Sequence, residues 1–176
     1  MDGKERGSIS EYMFLEIGME IVKKYCANLG RPINRALLEG HTTKWEKEIH
    51  LLQKALLESI PTEENLVVSR FIDDKEANAI MEAGRTYISP IFLSTTVGNI
   101  ENFLDPIRKN QLILKIPKGT NGIFSDPITK RNEFEFILPY GTKIAVICVL
   151  VLDGRKKIYG QVVGQYRFYK EEAENE

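Results

Sequence analysis

The sequence predicts an α+β protein in which helices come first and strands follow. Two observations carry this. Through the first third of the chain apolar residues recur at helical spacing, and from about residue 65 onward they fall in short, β-branched runs of strand length. Helices gathered before strands, without alternation between them, indicate α+β and not a doubly wound α/β fold.

The elements follow in order. "SEYMFLEIGMEIVKKYCANLG" sets Met13, Ile17 and Ile21 along one side, with Cys26 a further candidate, Ser10 the expected cap and Gly30 the expected end. "PINRALLEG" carries Pro32 in its first turn and stops at Gly40. "TTKWEKEIHLLQKALLESIP" repeats Trp45, Ile49, Leu52, Leu56 and Leu57, and Pro61 closes it. Strands are then expected at 65–72, 89–97, 110–119, "EFEFILP" (133–139), 142–153 and 157–170, with a short helical stretch near 74–82. One domain is expected over 1–176, with a helical part at about 9–60 and a β core at about 65–170. The acidic tail 171–176 reads as solvated and frayed.

Composition narrows the function classes. The 176 residues carry a net charge of −1, so no global basic field favours nucleic acid or an anionic membrane. No run approaches the ~20 apolar residues of a membrane span. The N-terminus has charges on both sides of a short apolar patch and lacks a signal-peptide layout. As encoded, a cytoplasmic protein is expected, and secretion or delivery into a target cell would need a separate route. Cys26 and Cys148 lie far apart and need not pair, which permits a reducing compartment. Cys26 sits in a helical pattern and reads as a packing cysteine. Neither a Gly-rich phosphate loop nor HExxH nor CxxC occurs. His41 and His50 have no third partner at metal-site spacing, so no metal is expected.

Three polar features interrupt the strands. Arg70 closes "LVVSR", Ser94, Thr95 and Thr96 follow "PIFL", and Glu133 and Glu135 alternate with Phe134, Phe136 and Leu138. Strand geometry would put both carboxylates on one face with Cα atoms about 7 Å apart. Each feature alone has a plainer reading: a strand-end arginine, a strand edge of high β propensity, a solvated acidic face.

Their order and flanks add more. Arg70, "FLSTT" (92–96) and "NEFEFILPYGTKI" (132–144), with "INRALLEG" (33–40), "ALLESIPTEENLVVSR" (55–70) and "LILKIPKGTNGIF" (112–124), resemble the ADP-ribosyltransferase superfamily. The likeness is nearest to its Arg/Ser-Thr-Ser/Glu-x-Glu branch, which contains the clostridial binary-toxin enzyme components and the Rho-modifying exoenzymes. It runs from about residue 33 to 153. Thr96 replaces the second serine, Ile91 stands where relatives often carry Asn, and Phe71 follows Arg70 where Arg or Gly is common.

The resemblance implies helices packed on a two-sheet mixed β core, with NAD as substrate and an arginine of an unidentified protein as acceptor. It implies that Glu135 stabilises positive charge at the ribose carbon, that Ser94 fixes the Glu135 rotamer, and that Arg70 grips the dinucleotide phosphates. Glu133 would orient and deprotonate the acceptor guanidinium. Thr95, Thr96 and Phe92 are further cofactor-binding candidates, although the apolar strand around Phe92 favours core packing. Phe124, Lys130 and Arg131 lie in the segment that would present the acceptor, where a solvated turn is the alternative. Hydrolysis of NAD and a non-catalytic interaction domain that kept the fold are the other readings. The near-zero net charge disfavours a nucleic-acid acceptor.

Overall fold

The computed structural model describes residues 5–98 and 107–166, with side chains from residue 15 onward. The acidic tail, the expected strand end beyond 166 and the Met13 side chain lie outside the described residues.

Helix α1 spans Glu5–Lys24, so Ser10 lies within it and does not cap it. Its buried stripe also differs from the expected one. Ile21, Val22 and Tyr25 are buried, whereas Ile17 is 43% exposed. Gly18 completes the stripe: a Cβ there would stand 3.5 Å from the Cβ of Ala55, so the missing side chain lets α1 approach the helix that carries Ala55 closely. Positions 18, 21, 22 and 25 keep the helical i, i+3, i+4, i+7 pattern, offset by one from the predicted face.

Gly30 does not end the helix. A π-helical turn, Tyr25–Leu29, runs directly into α2 (Gly30–Glu39). The Gly30 N–H donates to the Tyr25 carbonyl, and a Cβ at Gly30 would lie 3.0 Å from that oxygen. Glycine here admits a wide turn, not a stop. Gly40, with φ 70°, ends α2 in the left-handed region as the sequence indicates. A 3₁₀ turn (Thr43–Trp45) precedes α3 (Glu46–Leu57), which buries Ile49, Leu52, Leu56 and Leu57 while Trp45 is half-buried.

The strands are β1 (Leu66–Ile72), β2 (Thr86–Ile88), β3 (Leu93–Val97), β4 (Asn110–Ile116), β5 (Ile123–Phe124), β6 (Glu135–Leu138), β7 (Thr142–Leu152) and β8 (Arg155–Gln165). Helix α4 (Asp74–Glu82) follows β1, and the short α5 (Asp126–Thr129) follows β5. Asp73 caps α4 by accepting from the Glu76 N–H. The order across the sheet is β2-β7-β8-β4-β1-β3-β6-β5, and β4 with β8 is its parallel pair. Where two sheets are expected, the hydrogen bonds join all eight strands into one mixed sheet. The join between its five-strand and three-strand halves is narrow, because β1 and β3 are registered only at Val68↔Val97 and Ser69↔Thr96. One core cluster gathers Val68, Ile72, Leu112, Leu114 and Phe136; the other binds the helices to the sheet through Ile21, Leu52, Leu56, Phe92 and Ile137.

Close packing of β8 yields a test of this register. A Cβ at Gly160 would stand 2.7 Å from Ile144 Cγ2 and 3.2 Å from the Ala145 carbonyl, whereas one at Gly164 would meet nothing nearer than Lys143 Cδ at 3.6 Å. Gly160→Ala should destabilise the fold by about 1–3 kcal/mol through overpacking. Gly164→Ala should change it far less. Denaturant melts of the two variants check this, and equal losses would contradict the register.

Candidate active site

The site forms where β1 and β3 part. Their pairing ends at Ser69 and Thr96, so the following residues of β1 bond only to β4 on one side. Arg70 spans the gap: its Nη1 donates to the Ser94 carbonyl at 3.1 Å. Its Nε and Nη2 donate to the Glu76 carboxylate of α4 at 3.2 and 3.4 Å. With both side chains about four-fifths buried, the pair is shielded from solvent.

Ser94 on β3 lies diagonal to Glu135 on β6, whose backbone partner is Thr96. The Ser94 hydroxyl donates to Glu135 Oε1. Glu135 Oε2 accepts from Ser125 Oγ at 2.6 Å and from Cys26 Sγ at 3.4 Å. Both carboxylate oxygens are therefore held by donors from different elements, which fixes the rotamer. Cys26 is thus more than a packing residue. It is half-buried and its thiol is aimed at the carboxylate. Burial and the adjacent Glu135 charge push that thiol up to about 12.

The two glutamates do not share a strand face. β6 begins at Glu135, and Phe134 has φ 51°, a left-handed conformation uncommon outside glycine. The Asp126 carboxylate supports it, accepting from the Phe134 N–H at 2.8 Å and the Glu135 N–H at 3.3 Å. The reversed backbone breaks the period-two alternation: Phe134 is 66% exposed instead of packing with Phe136 and Leu138. Glu133 lies outside the strand with its side chain 56% exposed, and Arg131 Nη1 stands 3.9 Å from its Oε1. That same Nη1 donates to the Cys26 carbonyl at 3.1 Å.

Other residues singled out in the sequence fall elsewhere. Thr95 is buried and donates to the Phe136 carbonyl at 2.6 Å, on the face opposite Ser94. Phe92 is fully buried, edge-on to Tyr25 and Tyr140, so its ring belongs to the core. Phe124 packs on Phe136 at 4.7 Å and lines a separate cleft of about 640 Å³ with Ile60, Pro61 and Leu66, away from Glu135. Lys130 takes φ 57° at the C-cap of α5.

Four residues of the site carry no individual role in the sequence reading. Ser125 and Asp126 hold Glu135 and its backbone; the Ser-Asp-Pro start of a short helix is the signal that marks them. Asn34 clamps Phe92, accepting from its N–H at 3.1 Å and donating to its carbonyl at 3.0 Å, which ties α2 to the start of β3. Glu76 orients Arg70. The cleft in front of Glu135 measures about 820 Å³ and is lined by Asn34, Arg70, Ile91 and Ser94, with Arg31, Arg35, Lys75 and Arg108 adding positive charge and Glu39, Asp73 and Glu76 adding negative charge. That volume lies within the range of cofactor-sized pockets.

A carboxylate braced by hydroxyls at the head of a cleft that also carries arginines suits transfer at a sugar carbon that develops positive charge, with a phosphate-bearing leaving or carrier group. Comparison with known proteins agrees. The family model described as "ADP-ribosyltransferase exoenzyme" matches residues 16–164. The chain therefore belongs to the ADP-ribosyltransferase exoenzyme family, whose members are NAD-using transferases.

Among solved structures it is similar to Plx2a, an ADP-ribosyltransferase toxin from Paenibacillus larvae, with 26% identity, TM-score 0.68, and 84% of this chain and 86% of that one covered. It shares its fold with the Clostridium limosum C3 exoenzyme at 17% identity and TM-score 0.66, covering 84% of this chain and 85% of that chain. It also shares it with BECa of the C. perfringens binary enterotoxin, determined with NADH, at 19% identity and TM-score 0.65, covering 90% of this chain and 48% of that chain. No curated protein sequence matches it significantly.

The raised Cys26 value gives a chemical test. The neutral thiol is favoured in the folded state, so its contribution to stability is fully present below its ordinary value of 9.0 and is lost as pH rises toward about 12. At pH 8 iodoacetamide should label exposed Cys148 and leave Cys26 largely unmodified until the chain is unfolded. Peptide mapping of native and denatured samples reads this out; comparable native labelling of both would contradict the geometry.

Proposed function

We propose that the chain is a mono-ADP-ribosyltransferase that cleaves the nicotinamide–ribose bond of NAD and passes ADP-ribose to an arginine of a protein. The observation that carries this is the Glu135 carboxylate held at both oxygens by Ser94 and Ser125. A carboxylate so fixed can hydrogen-bond the ribose and stabilise the oxocarbenium-like carbon without reorganising as the bond breaks. Arg70, already committed to Glu76 and the Ser94 carbonyl through one contact at each nitrogen, keeps two of its five N–H donors for phosphate oxygens. Arg31, Lys75 and Arg108 offer further positive charge along the same cleft. The chemistry asks for no metal.

Glu133 is the acceptor carboxylate in this reading. It stands at the solvent side of the loop, where a guanidinium from another protein can reach it. A guanidinium stays protonated at neutral pH, and a neighbouring carboxylate that orients it and draws off its proton makes it a nucleophile. The solved relatives described above include named toxins, and we extend that role to this chain: its acceptor would be a protein of a target cell.

Purified protein with labelled NAD, with and without agmatine, tests the assignment. Glu135→Gln should lower both nicotinamide release and agmatine labelling by about 10²–10³ while leaving the melting temperature in place. Glu133→Gln should lower agmatine labelling far more than nicotinamide release. Equal loss of both in the second variant would remove the acceptor role of Glu133. Nicotinamide release by the wild type without agmatine labelling would establish a glycohydrolase instead.

A further inference from the structure

The end of the sheet away from Glu135 presents a strand with an open edge. β2 pairs with β7 only over Lys143, Ile144 and Ala145, and the Arg85 carbonyl accepts the Val146 N–H at 3.0 Å. Past that point, among the described residues, β7 has β8 on one side and no strand on the other. The turn sets the direction of the backbone groups there. Asp153 and Gly154, with φ 51° and 72°, form a two-residue hairpin loop closed by Leu152 and Arg155. Antiparallel pairs alternate between bonded and non-bonded, so Val149 and Val151 turn their N–H and C=O groups away from β8. Lys156, opposite Val151, keeps the same phase: its N–H points away from β7 and donates to Asn110 Oδ1 at 2.9 Å.

This edge lacks the usual protection. "IAVICVLVL" (144–152) contains no charged residue and no proline, and Ile147 (63%), Val151 (61%) and Leu152 (58%) are exposed. Edge strands ordinarily carry charge, proline or a cover, because bare ones pair with other chains. A lipid surface would leave the Val149 and Val151 backbone groups unsatisfied, so a strand is the occupant that fits. We infer that this strand is β7 of a second copy of the chain. Two copies pair antiparallel, edge to edge, about a two-fold axis, and join their sheets into one.

Charge and length select the second copy. A two-fold axis lays the same uncharged run against itself, so apolar residues meet apolar ones and no like charges oppose. It also carries the hairpin apex of each copy toward Arg85 of the other, where β2 stops covering β7. Asp153 sits at that apex, and both it and Arg85 are exposed. Among the described residues neither forms an ion pair, so opposite charges are free to meet at both ends of the junction. The free edge, residues 147–152, is about 20 Å long, which is the length of an ordinary strand. Four strands separate β7 from β6, so Glu135 and its cleft lie outside the pairing and each copy keeps a whole site.

Sedimentation velocity of the full chain over a wide concentration range, without NAD, tests this apart from the transfer reaction. The expected result is a reversible dimer, with amide exchange at Val149 and Val151 slowing as the concentration rises. Two variants address the edge itself. Val151→Lys sets a charge on it, and Val151→Pro removes an N–H that no bond within the chain uses. Each should raise the dimer Kd about tenfold or more while far-UV circular dichroism stays that of the wild type. A wild type that stays a single chain at every concentration overturns the proposal. So does a dimer that neither variant weakens, which would place the contact on another surface. Assembly beyond two chains would overturn the closed two-fold pairing.

Discussion

The site depends on Arg70 standing where a strand pairing stops. β1 and β3 share only two registered pairs, and past them the sheet would be open. The Arg70 guanidinium closes that opening with a side chain, by donating to the Ser94 carbonyl. A cleft can then lie between the sheet halves without leaving that carbonyl unsatisfied. Glu76 completes the arrangement. Removing either partner would strand a charge that is about four-fifths buried, which is far costlier than losing a surface pair. The residue that motif logic assigns to phosphate binding is thus also the residue that holds the two halves of the site in register.

The helical layer meets this junction through Asn34 and Cys26. Asn34 satisfies both backbone groups of Phe92, one residue before β3 begins, and Cys26 reaches Glu135 from the π-helical turn. That turn exists because Gly30 tolerates close approach to the Tyr25 carbonyl. A regular α-helix at this point would rotate everything after it by part of a turn, moving Asn34 off the Phe92 backbone. A small irregularity in the helices is therefore tied to the position of a serine on the sheet.

How much of this was legible in the sequence depends on the range of the interaction. The α+β class, α2 with its Gly40 stop, α4 and most long strands follow from local periodicity and punctuation, and they stand. β2 and β5 are three and two residues long, too short to show a period. Gly30 carries a stop signal that a tertiary contact overrides. Arg70, Ser94 and Glu135 were visible as an ordered set, and the fold brings them together. Thr95 and Phe92 sit in the same motif, but alternation along β3 and the packing of Phe92 against two tyrosines turn them inward. Ser125 and Asp126 act across a loop and a ladder, which no spacing rule reports.

The pair of glutamates shows what a single backbone angle can decide. On a regular strand Glu133 and Glu135 would point the same way, about 7 Å apart, and each would disfavour the charge of the other. Phe134 at φ 51° separates them, and Asp126 keeps it there by holding two successive N–H groups. Glu135 then looks inward to two hydroxyls and a thiol, while Glu133 looks outward to a cation. Two identical side chains, two residues apart, acquire different partners and so different chemistry. The strain of a left-handed phenylalanine is of the order of 1–3 kcal/mol and persists only where neighbours over-determine it. Here the neighbours that do so are the ones that also brace the Glu135 carboxylate, because Ser125 and Asp126 are adjacent in sequence. Loop and carboxylate are therefore held by one device, and a change that relaxes Phe134 also loosens Glu135.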